Sequence, residues 1–334
     1  MKRTIYLSAF AALAILGTAC GHKEARIDMT LSDKYEGKNI QLANYTDSTV
    51  VAEGTLTDGQ LSLIVPENAE GMLLQVMIDG RARFFYVAEP GRANLTDSTS
   101  VAVGTPLNDR FAALMKQLDV IEDTDDNDAY AAYAAKEYDN NKDNPLGVYF
   151  GTEWIRYSPT ARIDSILQTA PEALKNSPKT ARYRAAAVLR DATAPGQKYT
   201  DFSSEQPGGE TASLGSMLKP DGYTIVDFWA SWCPYCIKEI PELKEIYADY
   251  SGRGLEIVGV AVRDKIEDTQ ASMAKHQIPW KVMYNAQRIP YEIYGFTGIP
   301  HLMLIGPDGT IISRGETPAR LRERLAELLP AKGE

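Results

Sequence analysis

The chain has 334 residues, with 35 Lys or Arg against 45 Asp or Glu, a net charge of -10 at pH 7, and three cysteines. That acidic balance, with no long basic run, excludes a nucleic-acid partner on charge. A 44% hydrophobic composition suits a globular core divided between two or three domains, and so few cysteines in so long a chain exclude a scaffold held by disulfides.

In chain order, Lys2-Arg3 precede an apolar stretch from Ile5 to Leu16, and then Gly17-Thr18-Ala19-Cys20. Charge, length and small residues mark a secretory signal peptide over residues 1-19, and the stretch is shorter than the ~20 apolar residues of a membrane span. A cysteine after small residues resembles a bacterial lipoprotein box, with one departure: Leu16 lies four residues before Cys20, and Gly17 takes the usual leucine position. The expectation is lipid on Cys20, which anchors a soluble protein to the membrane instead of spanning it; ordinary cleavage nearby is the alternative.

Residues 20-105 alternate apolar and polar positions in short runs, Ile27 to Leu31, Asn39 to Ala43, Thr49 to Leu56, Leu61 to Val65, Met72 to Ile78 and Arg83 to Val87. Turn residues such as Thr57-Asp58-Gly59, Asp79-Gly80 and Glu89-Pro90-Gly91 separate them, so an antiparallel β sandwich or barrel-like domain is expected. It carries no catalytic constellation.

Residues 106-192 turn to alanine, leucine and charge at helical spacing, as in Phe111 to Leu118 and Thr180 to Leu189, and read as a helical linker region. Tyr130, Tyr133 and Tyr138 are assigned to its core. The acidic run Glu122 to Asp128 lacks the glycine and distal glutamate of a calcium loop and reads as a solvated loop.

Residues 193-334 alternate strand and helix patterns, the mark of an α/β domain with a central sheet. Tyr223 to Trp229 reads as a buried strand, Cys236 to Tyr250 as a helix and Leu255 to Val262 as a second strand. Glu267 to His276, Trp280 to Tyr284, Pro290 to Tyr294 and Leu302 to Ile305 follow, with Pro307-Asp308-Gly309 turning into Ile311 to Arg314 and Pro318 to Leu329 closing the domain.

Between the first strand and helix stands Cys233-Pro234-Tyr235-Cys236, which holds both remaining thiols. Two thiols at this spacing at a helix start can close a reversible disulfide, because unsatisfied N–H groups and the helix dipole favour a thiolate at the first. Cys233 is therefore the expected nucleophile and Cys236 the resolving thiol. Pro234 suits the first helical turn, and Pro241 is a structural kink further along.

These residues resemble the thioredoxin superfamily, and more narrowly its exported, membrane-tethered TlpA- and ResA-like thiol-disulfide oxidoreductases. The resemblance covers about Ala194 to Leu329 and rests on Asp227-Phe228-Trp229-Ala230-Ser231-Trp232-Cys233, Glu239-Ile240-Pro241, Gly298-Ile299-Pro300 and Pro307-Asp308-Gly309. A looser one links Arg26 to Asn108 with the N-terminal domain of thioredoxin-like lipoproteins of the Bacteroidetes type. The resemblance implies a redox disulfide Cys233-Cys236, with Asp227 or Glu239 as proton acceptor for Cys236; a carboxyl in an apolar setting has the raised pKa such work needs. Each carboxyl also has a bland reading, Glu239 as an exposed helix residue and Asp227 as a hydrogen-bonded strand residue. Ile299-Pro300 matches the cis-proline loop that pairs with an extended substrate. Trp229 and Trp232 shape the site, Trp232 the more exposed. His301 replaces the usual threonine and either approaches the thiols or points elsewhere.

The expected activity is thiol-disulfide exchange with exported proteins in the reducing direction, with no cofactor or metal. A membrane or periplasmic redox partner recharges the dithiol, and the soluble domains face the periplasm. Cytochrome c maturation, oxidative repair and disulfide isomerisation all stay open as its setting. The alternatives are a peroxiredoxin-like peroxidase, opposed by Ala230 where a threonine or serine would precede the cysteine, and a partner-binding module with an accessory dithiol. A zinc site would need ligands from His22, His276 and His301.

Overall fold

In a computed structural model, residues 24-122, 124 and 126-330 are described. The signal peptide and Cys20 lie outside them. The chain folds as two compact units, one through Met115 and one from Lys116.

The first unit is built from β1 (Ala25–Thr30), β2 (Asn39–Asn44), β3 (Val50–Thr55), β4 (Gln60–Ile64), β5 (Leu73–Ile78), β6 (Arg81–Val87) and β7 (Gly91–Thr96). They form two sheets, ordered β4-β1-β7 and β3-β2-β5-β6. One core holds Ile27 and Met29, Ile40 and Leu42, Leu74 and Val76, Tyr86 and Leu95, the inward positions of a period-two pattern on both sheets. Two features depart from the sequence reading. Strand β7 was not anticipated, because its inward residues are only Ala93 and Leu95 among Arg92, Asn94 and Thr96. Its pairing with β1 is parallel, whereas an antiparallel module was expected; Arg26 stands beside Arg92 and Thr30 beside Thr96.

Helix α1 (Pro106–Glu122) spans the boundary between the units, and so divides the segment expected as a linker region. Helices α2 (Asn127–Asn141), α3 (Pro145–Tyr157), α4 (Thr160–Thr169), α5 (Glu172–Lys175) and α6 (Pro178–Ala192) belong to the second unit. Their starts follow from capping. Asp126 accepts from the amides of Asp128 and Ala129, Asn144 from Leu146 and Ser177 from Lys179, each satisfying a donor that the first turn leaves open. The acidic run is thus only partly a loop, since Glu122 ends α1 and Asn127 opens α2. Tyr130 and Tyr138 are buried in this packing, and Tyr133 is half-buried.

A small hairpin of β8 (Ser203–Glu205) and β9 (Thr211–Ser213), unforeseen because both strands are short and polar, leads into β10 (Tyr223–Trp229). There follow α7 (Pro234–Tyr250), β11 (Leu255–Ala261), α8 (Ile266–His276), β12 (Lys281–Met283), α9 (Ile289–Tyr294), β13 (His301–Ile305), β14 (Ile311–Arg314) and α10 (Pro318–Leu328). The sheet order is β12-β11-β10-β13-β14, parallel among the first three strands and antiparallel from β10 to β13 and β14. Residues alternate across β10. Ile225 and Trp229 pack with Cys236, Ile240, Leu243 and Leu325, whereas Val226 and Phe228 pack with Met283, Tyr294 and Phe296. The sheet therefore has an apolar layer on each face, with α7 and α10 on one side. No described helix is long and apolar enough to cross a membrane.

Candidate redox-active site

Cys233 is the N-cap of α7, and its sulfur accepts from the amide of Cys236 at 3.2 Å. Pro234 takes the first helical position, where its missing N–H costs nothing. The two cysteines are joined as a disulfide with Cα atoms 5.3 Å apart. Both are 3% exposed, while their sequence neighbours Trp232 and Tyr235 are 51% and 68% exposed. Trp229 is buried at 1%, and a Cβ on Gly259 of β11 would stand 2.9 Å from its Nε1. A side chain at 259 would push the indole out of its slot.

The peptide bond Ile299-Pro300 is cis, and the Ile299 carbonyl oxygen lies 3.8 Å from the Cys233 sulfur. The loop thus puts a backbone carbonyl beside the dithiol. The next residue, His301, faces away from that chemistry. Its ring stacks on Phe296 at 4.7 Å and meets the Arg314 guanidinium at 3.4 Å. Burial, then the charges of Arg314 and Arg190, hold its pKa well below the usual value, so it is a neutral packing residue.

Asp227 alternates with Ile225 and Trp229 and so faces the α7 layer, in register with Gly259 on one side and Leu302 on the other. It is buried, and no hydrogen bond reaches its carboxyl among the described residues. Desolvation raises its pKa from 3.8 to about 7. A carboxyl poised there can take a proton and return it near neutral pH. Glu239 lies three residues beyond Cys236 on α7 and is half-buried.

Sequence reasoning missed a brace behind the dithiol. The buried Asp264 accepts from the Ser231 amide at 2.6 Å, the Ser231 hydroxyl at 2.9 Å and the Thr269 hydroxyl at 3.1 Å. Its neighbour Arg263 accepts at its carbonyl from Trp232 Nε1 at 2.9 Å and lays its guanidinium over the Trp232 and Tyr291 rings, at 5.0 and 5.1 Å. The signal was available: β10 and β11 are parallel with Trp229 beside Ala261, so the residues just past both strand ends must meet.

A dithiol at the N-cap of the helix after a central strand, faced by a cis-proline loop, defines a thioredoxin-like redox domain. Residues 195–314 match the family model described as the AhpC/TSA family. The chain is similar to the thiol-disulfide oxidoreductase ResA of Bacillus subtilis, 27% identical over 39% of this chain and 72% of that protein. It is also similar to the thiol:disulfide interchange protein DsbE homolog of Paracoccus denitrificans, 29% identical over 50% of this chain and 82% of that protein. Among solved structures it is similar to the thioredoxin domain of a Bacteroides vulgatus thiol-disulfide oxidoreductase, with 24% identity over 41% of this chain and 98% of that one, at a TM-score of 0.37.

Proposed function

We propose that the protein is a lipid-anchored thiol-disulfide oxidoreductase that reduces disulfides of exported proteins through Cys233 and Cys236. The observation that carries the reading is Cys233 at the N-cap of α7, bonded to Cys236 and receiving its amide. The names of the relatives support the same activity. Ala230, three residues before Cys233, speaks against the peroxidase alternative.

In the reducing direction the Cys233 thiolate attacks one sulfur of the substrate disulfide. A bond forms from Cys233 to that sulfur, and the other substrate sulfur leaves as a thiolate that takes a proton. The helix N-terminus supports the attacking charge. Cys236 then gives its proton to the Asp227 carboxylate and attacks the Cys233 sulfur; the bond from Cys233 to the substrate breaks, and the second substrate sulfur leaves as a thiolate that takes up the proton Asp227 releases. Two electrons pass from the protein dithiol to the substrate, and a reductant in the envelope restores the dithiol. Trp232 and the Ile299-Pro300 loop receive the substrate chain, and Glu239 assists proton movement at the same helix. The signal peptide over 1-19 and lipid on Cys20 would hold this unit at a membrane, facing the periplasm.

Reduction of a peptide disulfide by the dithiol form of the full chain tests the activity. Wild type should turn over and Cys233→Ser should not. A Cys233→Ser variant as active as wild type contradicts the reading.

A further inference from the structure

Among the described residues, a cluster of charge in the helical segment takes no part in the dithiol chemistry. On α3, Glu153 is 9% exposed at its side chain, pairs with Arg156 at 3.3 Å and accepts from the Tyr130 hydroxyl at 3.2 Å. Arg156 also reaches out of the helices. Its Nε donates to the Thr297 hydroxyl at 3.4 Å, and its Nη2 stands 3.8 Å from where a Cβ on Gly298 would lie. Thr297 and Gly298 lead directly into the cis Ile299-Pro300 bond.

A second guanidinium grips the same segment. Arg190 of α6 donates to the Gly295 carbonyl at 3.2 Å and to the Ser158 carbonyl at 3.0 Å. Gly295 has φ 65°, and a Cβ there would fall 2.1 Å from the Ala186 carbonyl oxygen, so the loop and α6 meet backbone to backbone. Residues 295 to 298 are therefore tied at two points to helices outside the sheet that carries the dithiol. Arginine suits the task because its planar fork can hold a carboxylate and a hydroxyl at once, which a lysine ammonium at the end of a flexible stem does not.

We propose that Arg156 is a positioning residue for the exchange reaction: by holding Thr297 and Gly298 it fixes the Ile299 backbone against which a cysteine-bearing extended peptide pairs. This rests on the reading of Cys233 and Cys236 as the exchange centre. A recognition backbone left free to shift by an ångström loses binding before it loses chemistry, since neither sulfur touches Arg156. The helical segment then serves the site as a clamp on its substrate loop.

The test is KM and kcat for reduction of a synthetic single-disulfide peptide by the full chain, alongside the equilibrium potential of Cys233-Cys236 against glutathione. Arg156→Ala and Thr297→Val should each raise KM, Arg156→Ala by about tenfold, with kcat and the potential close to wild type, and the double variant should be no worse than Arg156→Ala alone. Arg156→Lys keeps a cation for Glu153 and so keeps the fold, but should show the raised KM and faster amide exchange at Thr297 to His301. Wild-type KM in both Arg156→Lys and Thr297→Val, or fully additive effects in the double variant, would overturn the proposal. A wild type that reduces no disulfide would overturn the exchange reading itself, and the clamp's role with it.

Discussion

In the first unit Asn108 is fully buried and fully engaged: its Oδ1 accepts from the Val87 amide at 2.8 Å, and its Nδ2 donates to the Val87 carbonyl and the Thr105 hydroxyl, each at 2.8 Å. In the second unit Asp227 is buried among apolar neighbours with no hydrogen bond to its carboxyl among the described residues, and its pKa is pushed up to about 7. The first arrangement is what stability favours, because each desolvated polar atom regains a partner. The second opposes stability at neutral pH, as the proton-acceptor role proposed for Asp227 requires. The β unit holds itself together, while the second unit accepts a cost on the strand that leads to its dithiol.

Asp227→Asn should break the contrast most strongly. Without its proton acceptor, the resolution step should slow about 100-fold or more and lose its dependence on pH near 7, read by stopped-flow decay of a preformed mixed disulfide. Stability should move the other way. Between pH 3.8 and about 7 the unfolded chain has released this proton while the folded one keeps it, so wild-type stability falls as pH rises through that window. The neutral asparagine escapes the penalty: no gain at pH 3.5, growing to as much as ~4 kcal/mol at pH 8 in urea unfolding. An unchanged pH profile in both measurements would remove Asp227 from the mechanism.

Asn108→Ala should sharpen the other side of the comparison. It strands the Val87 amide and carbonyl in a buried site and should cost about 2–3 kcal/mol, while the exchange rate of the dithiol stays at wild type. A fall in exchange rate without unfolding would mean that the β unit contributes to the chemistry. Trp232→Ala should have the smallest effect. Half-exposed, and held by its indole N–H on the Arg263 carbonyl and by the Arg263 guanidinium over its ring, it should change stability by less than ~1 kcal/mol and raise KM a few-fold.

The C-terminal unit was legible because its signals are local. The apolar run Tyr223 to Trp229, the dithiol and Pro234 place strand, cap and helix within a dozen or so residues, whereas the face that Asp227 takes is read only from the fold, because both faces of the strand are apolar. What lay outside its reach is long-range. The parallel pairing of β1 with β7 joins residues some 66 apart, and Arg156 meets Thr297 across 141 positions, distances over which no periodicity in a single sequence speaks. His301 shows the same limit from the other side, since only the fold reveals that its ring stacks on Phe296 away from the sulfurs.

The central claim is an ordered division of labour, Cys233 attacking and Cys236 resolving. Mass spectrometry of a Cys236→Ala chain incubated with a disulfide-bearing peptide tests it directly. The prediction is a stable mixed disulfide mapping to Cys233 alone, absent from wild type at the same time point. An adduct at Cys236 in the reciprocal Cys233→Ala chain, with none at Cys233, would contradict it.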